Sequence, residues 1–139
     1  MTDKSWIDAN VIIRFITKDP EEMAAKALNL MLEAERGNVS LYLASLTLAE
    51  VVWTLESFYG YQRKDITEVL SLFLQLKGLK VEQEDILNKA LEDYSSKNID
   101  FVDAYLAARA SLDGPGKIFT FDRKHFSRLS VSFQEPGSG

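Results

Sequence analysis

The stretch SWIDANVII, residues 5–13, places an aspartate and an asparagine between two apolar runs. The first run predicts a short strand at about residues 4–7, and the segment from Asn10 to Thr17 predicts a helix. Asp8 then lies at the junction, where a polar residue is ordinary turn chemistry. A purely structural role for Asp8 is therefore open, and its meaning depends on where the other acids lie.

Helices and strands alternate through the rest of the chain. Helices are predicted at residues 20–37, 47–60, 64–76, 84–97 and 100–114, and strands at 39–44, 79–81, 117–121 and 131–133. Strands separated by helices favour parallel pairing under a cover of helices. We therefore predict an α/β fold, a three-layer α/β/α sandwich with a central, mostly parallel sheet. Residues 1–135 are expected to form one domain, and residues 136–139 a disordered tail or a fusion remnant.

Composition limits the classes of function. The 139 residues include no cysteine, which excludes disulfides, thiolate nucleophiles and zinc sites built on thiolates. The sequence shows no basic and apolar leader and no run approaching the roughly 20 apolar residues of a bilayer span, so we expect a cytoplasmic protein. The net charge of −5 opposes bulk electrostatic binding of a polyanion. A nucleic-acid partner would need a local basic patch or a bound cation.

Four acids follow predicted strands or lie early in predicted helices. Ligands of parallel sheets bind at the carboxyl ends of the strands, beside the starts of the following helices. We therefore expect the four carboxylates to converge on one edge of the sheet. They are Asp8, Glu50, Asp103 and Asp122.

Each acid also has a structural explanation. Thr47 and Glu50 have the spacing of a capping box, in which the glutamate satisfies a backbone N–H. Asp103 lies early in a helix, where the macrodipole favours a carboxylate, and Asp100 is a good N-cap. Asp122 could start a turn. These explanations are individually adequate, but they leave the coincidence of position unexplained.

Convergence of carboxylates has an energetic cost. Two of them about 4 Å apart repel by roughly 4 kcal/mol at an effective dielectric near 20, so a group takes up protons or binds a cation. Oxygen ligands of this kind favour Mg²⁺, with Mn²⁺ close behind. Zinc fits less well, because His125 is the single histidine and cysteine is absent.

Four motifs of the chain resemble those of a known family. They are IDAN (7–10), LAEVVWTL (48–55), DFVDAYLAARA (100–110) and TFDRKHF (120–126). In order and spacing they resemble the acidic motifs of the PIN domain, and more closely those of the VapC toxins of bacterial and archaeal toxin–antitoxin pairs. The resemblance covers nearly the whole chain and implies a metal-dependent endoribonuclease.

The resemblance also implies roles for individual residues. The main acidic group around the metal would be Asp8, Glu50 and Asp103, with Asp122 as the fourth acid. Supporting polar positions would be Asn10, Thr120 and, through its helix cap, Asp100. The reaction implied is hydrolysis of an RNA phosphodiester bond, with Mg²⁺ or Mn²⁺ activating a bound water and neutralising charge on the phosphate.

Basic residues are the candidate contacts for the RNA backbone. The cluster at residues 122–128 could instead be a solvated surface turn of helix with no ligand. Within it, His125 is also a candidate general base. The candidates are Arg14, Lys18, Arg123, Lys124 and Arg128.

Aromatic residues are dense between residues 51 and 62. We expect Trp53 to be part of the core and some of its aromatic neighbours to be exposed at an interface. Members of the VapC family are typically homodimers, inhibited by a small VapB-like antitoxin that lays a helix or an extended tail into a groove near the site.

Two other functions remain open for this sequence. The first is a nuclease of the same fold that acts in RNA processing or decay without an antitoxin, or that acts on DNA. The second is a non-catalytic module, in which the acids cap helices and the aromatic residues bind a partner protein. The second alternative predicts no saturable binding of Mg²⁺ or Mn²⁺ and no loss of function in Asp8→Asn.

Overall fold

A computed structural model describes residues 2–137 of the chain. The chain divides into two compact units, Met1–Gln83 and Glu84–Gly139. The first contains β1 (Asp3–Trp6), α1 (Ala9–Thr17), α2 (Glu21–Glu35), β2 (Val39–Leu43), α3 (Ser45–Ser57), α4 (Arg63–Phe73) and β3 (Leu79–Val81). The second contains α5 (Glu84–Ser96), α6 (Phe101–Asp113), β4 (Lys117–Phe119), α7 (Arg123–Phe126) and β5 (Ser132–Gln134).

All the strand pairs are parallel within the part of the chain that the structure describes. In the first unit the order is β1-β2-β3, and Trp6 lies opposite Tyr42, which lies opposite Lys80. In the second unit β4 pairs with β5, with Ile118 opposite Phe133. The predicted α/β class with parallel strands is therefore confirmed.

The core of the first unit follows directly from the spacing of its apolar residues. Along α3, the buried side chains recur three and four residues apart, as one face of a helix requires. On β2, Leu41 and Leu43 alternate toward the same side and are buried. The helix face consists of Leu48, Val51, Val52 and Leu55, with relative exposures of 2% or less.

Close packing also fixes the backbone between α4 and β3. Gly78 has a φ of +89°, and a Cβ on it would lie 2.3 Å from the carbonyl oxygen of Ala34 in α2. Its own carbonyl accepts a hydrogen bond from the amide of Leu41 at 2.8 Å. Glycine at this position therefore lets β3 enter the sheet against α2.

In the second unit, α5 and α6 pack against each other. The buried residues of α6 include Ala104, Ala107 and Ala108, whose small side chains permit a close helix approach. Across from them, α5 buries larger side chains such as Leu87 and Leu91. The alanines of α6 therefore pack at a helix pair.

Some predicted boundaries shift in the structure. The third helix begins at Ser45 instead of residue 47, the strand predicted at 117–121 ends at Phe119, and the basic cluster forms the short helix α7. Within residues 2–137, no helix has the length and apolarity needed to cross a membrane. Of the predicted tail, residues 136–137 form a turn, whereas residues 138–139 lie outside the described residues. The single domain over residues 1–135 stays a prediction.

Candidate active site

Asp8 lies at the N-terminus of α1, just beyond the carboxyl end of β1. It is the N-cap residue, with extended backbone angles of −86° and 151°, but its side chain makes no capping hydrogen bond. The carboxylate is exposed. Because β1 and β2 are parallel neighbours, the ends from which α1 and α3 start lie at the same edge of the first sheet. Asp8 is therefore available to a ligand at that edge.

Glu50 lies in the second turn of α3, and the capping-box explanation for it is wrong. The N-cap of α3 is Ala44, so Thr47 is already inside the helix. The amide of Ser45 donates instead to Oε1 of Glu82 at 3.0 Å, and the Ser45 hydroxyl donates to Oε1 of Gln83 at 2.7 Å. Glu50 is exposed and makes no hydrogen bond or ion pair with any residue between 2 and 137. Its carboxylate is not consumed by helix capping.

In the second unit, Asp103 lies in the first turn of α6. Partial burial raises the pKa of its carboxyl group, and repulsion from Asp100 and then Asp122 raises it further, while His125 acts in the opposite direction. Asp100 occupies the N-cap position as expected, yet its side chain makes no capping hydrogen bond. Three carboxylates of this unit therefore interact electrostatically, and their repulsion raises the pKa of Asp103.

Asp122 is held in place by its neighbours in sequence. Its Oδ1 accepts a hydrogen bond from the backbone amide of His125 at 3.0 Å, and its Oδ2 lies 2.6 Å from Nδ1 of the same residue. These contacts lower the pKa of Asp122, the side-chain hydrogen bond most strongly. The hydroxyl of Thr120 accepts a hydrogen bond from the Asp122 amide at 2.9 Å. Asp122 thus caps the short helix α7, where a turn was the structural explanation offered by the sequence, and Thr120 fixes its backbone.

The other predicted residues of the first unit lie along α1. Asn10 is exposed in the first turn, and Lys18 is the exposed C-cap in a left-handed conformation, with φ of 60°. Arg14 donates from Nη1 to the carbonyl oxygen of Asp19 at 3.1 Å and to the hydroxyl of Tyr59 at 3.0 Å. Arg14 therefore supports the end of α1 structurally, whereas Lys18 extends into solvent.

The basic cluster of the second unit is divided in the same way. Arg123 and Lys124 are exposed on α7. Arg128 donates from Nη1 to the backbone oxygen of Asn98 at 3.1 Å, so part of its guanidinium group joins two segments of the unit. Arg123 and Lys124 are accordingly the better placed of the three to meet a polyanion.

The donor set agrees with a hard divalent cation. Carboxylate oxygens are the ligands that Mg²⁺ and Mn²⁺ prefer, and each unit presents at least two carboxylates near strand ends or helix starts. The repulsion that raises the pKa of Asp103 is of the kind that a cation relieves. Among residues 2–137, no three acidic or histidine side chains already form a metal-binding group. Convergence of the acids of both units stays a prediction.

The sequence did not reveal two contacts around these acids, that of Glu82 with Ser45 and that of His125 with Asp122. Glu82, at the end of β3, supplies the cap of α3 and so helps to fix the helix that carries Glu50. No short spacing signals this contact, because 37 residues separate Glu82 from Ser45. The contact of His125 with Asp122 had a signal, since a residue three positions after an N-cap aspartate lies beside it.

The chain is similar to a known protein family and to a named protein. The family model described as the PIN domain matches residues 6–131. A protein from Aquifex aeolicus (strain VF5) named VapC ribonuclease is 25% identical over 130 residues, which cover 94% of this chain and 95% of that protein.

Proposed function

The chain belongs to the PIN domain family, and we propose that it is a metal-dependent endoribonuclease, the toxin of a VapBC-type toxin–antitoxin pair. The observation that carries the proposal is the crowding of carboxylates around Asp103, whose pKa is raised by burial and by its acidic neighbours. A protein gains nothing in stability from this repulsion, whereas a bound cation relieves it. The likeness to a protein named VapC ribonuclease supports RNA as the substrate.

The proposed ligands of the metal are Asp8, Glu50, Asp103 and Asp122. A bound Mg²⁺ or Mn²⁺ would supply an activated water and would neutralise charge on the scissile phosphate. Thr120 would keep Asp122 in position through the hydrogen bond to its amide. Asn10 would support Asp8, and Asp100 would support Asp103. Any proton transfer by His125 would fall to its Nε2, because Nδ1 contacts Asp122.

The exposed lysine and arginine side chains are the proposed contacts of the RNA backbone. Because the chain carries a net charge of −5, these contacts would have to act locally. Replacing both Arg123 and Lys124 by alanine should weaken RNA binding more at low salt than at high salt and reduce the slope of log K against log salt by about 2. An unchanged slope in a filter-binding series would remove α7 from the RNA path. Lys18, Arg14 and Arg128 would then carry the contacts.

An antitoxin would have a groove available in the first unit. A cavity of about 240 Å³ is lined by Asn10, Val11, Arg14, Met23, Lys26, Ala27 and Leu30. Its apolar walls and two cations suit an amphipathic segment that carries acidic residues. We therefore propose that a VapB-like antitoxin binds in this groove. From the likeness to a protein named VapC ribonuclease we also propose a homodimeric state and a cytoplasmic location. Co-expression with the product of the neighbouring reading frame should yield a complex in which RNA cleavage is suppressed.

The direct test is cleavage of total cellular RNA by antitoxin-free protein. We expect discrete fragments with Mg²⁺ or Mn²⁺, none with EDTA, and none with Asp8→Asn or Asp103→Asn. Asp65→Asn is the matched control, because Asp65 also lies in the first turn of a helix but outside the proposed site. Loss of cleavage in Asp65→Asn as well would indicate a general folding defect. Metal-independent cleavage, or full activity of Asp8→Asn, would contradict the proposal.

Three further measurements distinguish the alternative functions: inhibition by the neighbouring gene product, cleavage of DNA, and the melting temperature with and without metal. Cleavage without inhibition by any neighbouring gene product would favour an RNA processing or decay nuclease, and cleavage of DNA instead of RNA would favour a deoxyribonuclease. Absence of cleavage, together with no metal-induced rise in melting temperature, would favour a non-catalytic module.

A further inference from the structure

Trp53 is exposed, although its position in an apolar helix led us to expect it in the core. Its relative exposure is 66%, whereas Val51, Val52 and Leu55 on the same helix are exposed by 2% or less. Among residues 2–137, no hydrogen bond or ring contact involves the indole. A large rigid aromatic side chain in water is a common feature of binding surfaces.

The neighbours of Trp53 on its helix face are informative. Leu46, Glu50 and Trp53 are spaced by four and three residues, so they share the outer face of α3. All three are exposed, Leu46 by 83%. Residues three apart on a helix have Cβ atoms about 5–6 Å from each other. The indole therefore lies next to a carboxylate that we have proposed as a metal ligand.

The carboxylate of Glu50, in the middle of this face, indicates which kind of ligand fits it. An apolar protein surface that covered Leu46 and Trp53 would also bury the carboxylate of Glu50, which is costly without a partner. Single-stranded RNA instead presents a phosphate and a flat base side by side. The phosphate is compatible with a cation at Glu50, and the base with the indole face. In a chain of net charge −5, base stacking adds an RNA contact to the local basic ones that does not depend on positive charge.

We propose that Trp53 is a stacking platform for an unpaired RNA base adjacent to the phosphate that binds at Glu50. The inference rests on the proposed nuclease function and makes it more specific, because it requires single-stranded RNA at the site. Stacking tolerates any base but is stronger for purines, which have the larger ring surface. Trp53 would therefore contribute to affinity and to a purine preference at one position.

The two tryptophans of the chain allow a direct optical test. Trp6→Phe leaves Trp53 as the single reporter, and Trp53→Phe leaves Trp6 as the matched control. Each protein is titrated, in Ca²⁺ to limit cleavage, with oligoadenylate, oligouridylate and an abasic oligonucleotide of about 12 positions. We expect the emission of Trp53 to be quenched by oligoadenylate, less by oligouridylate, and not by the abasic chain. The emission of Trp6 should change little.

Affinity measured by anisotropy completes the test. Trp53→Ala should weaken oligoadenylate binding about 10-fold or more and leave the abasic chain unaffected, whereas Trp53→Phe should retain most of the affinity. Equal losses for the base-bearing and abasic chains, or none for either, would overturn the inference. A change from dimer to monomer in Trp53→Ala, with base-dependent binding intact, would assign the face to a second copy and also overturn it.

These results also distinguish failure of the stacking role from failure of the nuclease function. If the native protein cleaves total RNA with metal but Trp53→Ala binds oligoadenylate normally, only the stacking role fails. If the native protein neither cleaves nor binds any of the RNA probes, the nuclease function fails and the stacking role fails with it.

Discussion

Gly78 offers a quantitative test of how the first unit is packed. Substitution by alanine would place a Cβ 2.3 Å from the carbonyl oxygen, 2.7 Å from the carbonyl carbon and 2.8 Å from the Cβ of Ala34. Real Cβ contacts essentially never fall below 3.0 Å, so the two backbone segments would have to separate by at least 0.7 Å. The separation would strain the hydrogen bond that joins Gly78 to Leu41.

Gly37 is the matched control for this substitution. Both glycines have a positive φ, +89° at Gly78 and +85° at Gly37, but a Cβ at Gly37 would meet nothing within 4 Å. The left-handed backbone costs an alanine about 1–2 kcal/mol at either position, offset by up to about 1 kcal/mol from the stiffer unfolded chain. Only Gly78→Ala adds the cost of overpacking, about 1–3 kcal/mol. We expect its free energy of unfolding to fall below that of Gly37→Ala by about 2 kcal/mol.

Urea denaturation followed by circular dichroism measures this difference. With a slope of about 2 kcal/mol per molar urea, the midpoint of Gly78→Ala should lie about 1 M below that of Gly37→Ala. Ala34→Gly should not rescue Gly78→Ala, because the closest atom is a backbone oxygen. Equal midpoints for the two alanine variants would refute the close approach of β3 to α2.

Three other substitutions test the electrostatics and the helix ends. Because the folded-state pKa of Asp103 is raised, the native state binds more protons than the unfolded state, and stability falls as pH rises from about 4 through that pKa. Asp103→Asn should therefore reduce the loss of stability with rising pH and raise the metal-free melting temperature at pH 7. The pKa of Asp122 is lowered in the folded state, so its contribution to stability is present above the unfolded-state pKa and is lost as pH falls through the folded-state pKa. His125→Ala should lower the free energy of unfolding near neutral pH and match the native protein in strong acid, as urea titrations at several pH values would show. Lys18 has a φ of 60° at the C-cap of α1, so Lys18→Gly should stabilise by about 0.5–1 kcal/mol in the same assay, and a destabilised variant would contradict the left-handed cap.

Several features of the protein follow from local sequence. The alternation of strands and helices predicts the parallel α/β class, because parallel neighbours need a helical crossover between them. The positions of Asp8 and Asp103 at helix starts were also readable. Asp8 lies between a strand pattern and a helix pattern, and Asp103 follows Asp100, which is a good N-cap residue. Local pattern contains this information because strand and helix periodicities extend over only a few residues.

What each acid does at its position was decided by the tertiary structure. Thr47 and Glu50 have capping-box spacing, yet Glu82 from a distant strand end bonds to Ser45 and leaves Glu50 exposed. Asp122 could not be told from an ordinary turn residue until His125 was placed against it.

The same division holds for apolar residues. Trp53 lies among buried neighbours in sequence, but the packing of α3 against α1 and α4 leaves the indole on the outer face. The sequence by itself determined which residues could form helices and strands, because propensity and periodicity act between near neighbours. Only the tertiary structure decided which helix face is covered and which carboxylate remains available, because those outcomes depend on contacts between residues far apart in the chain.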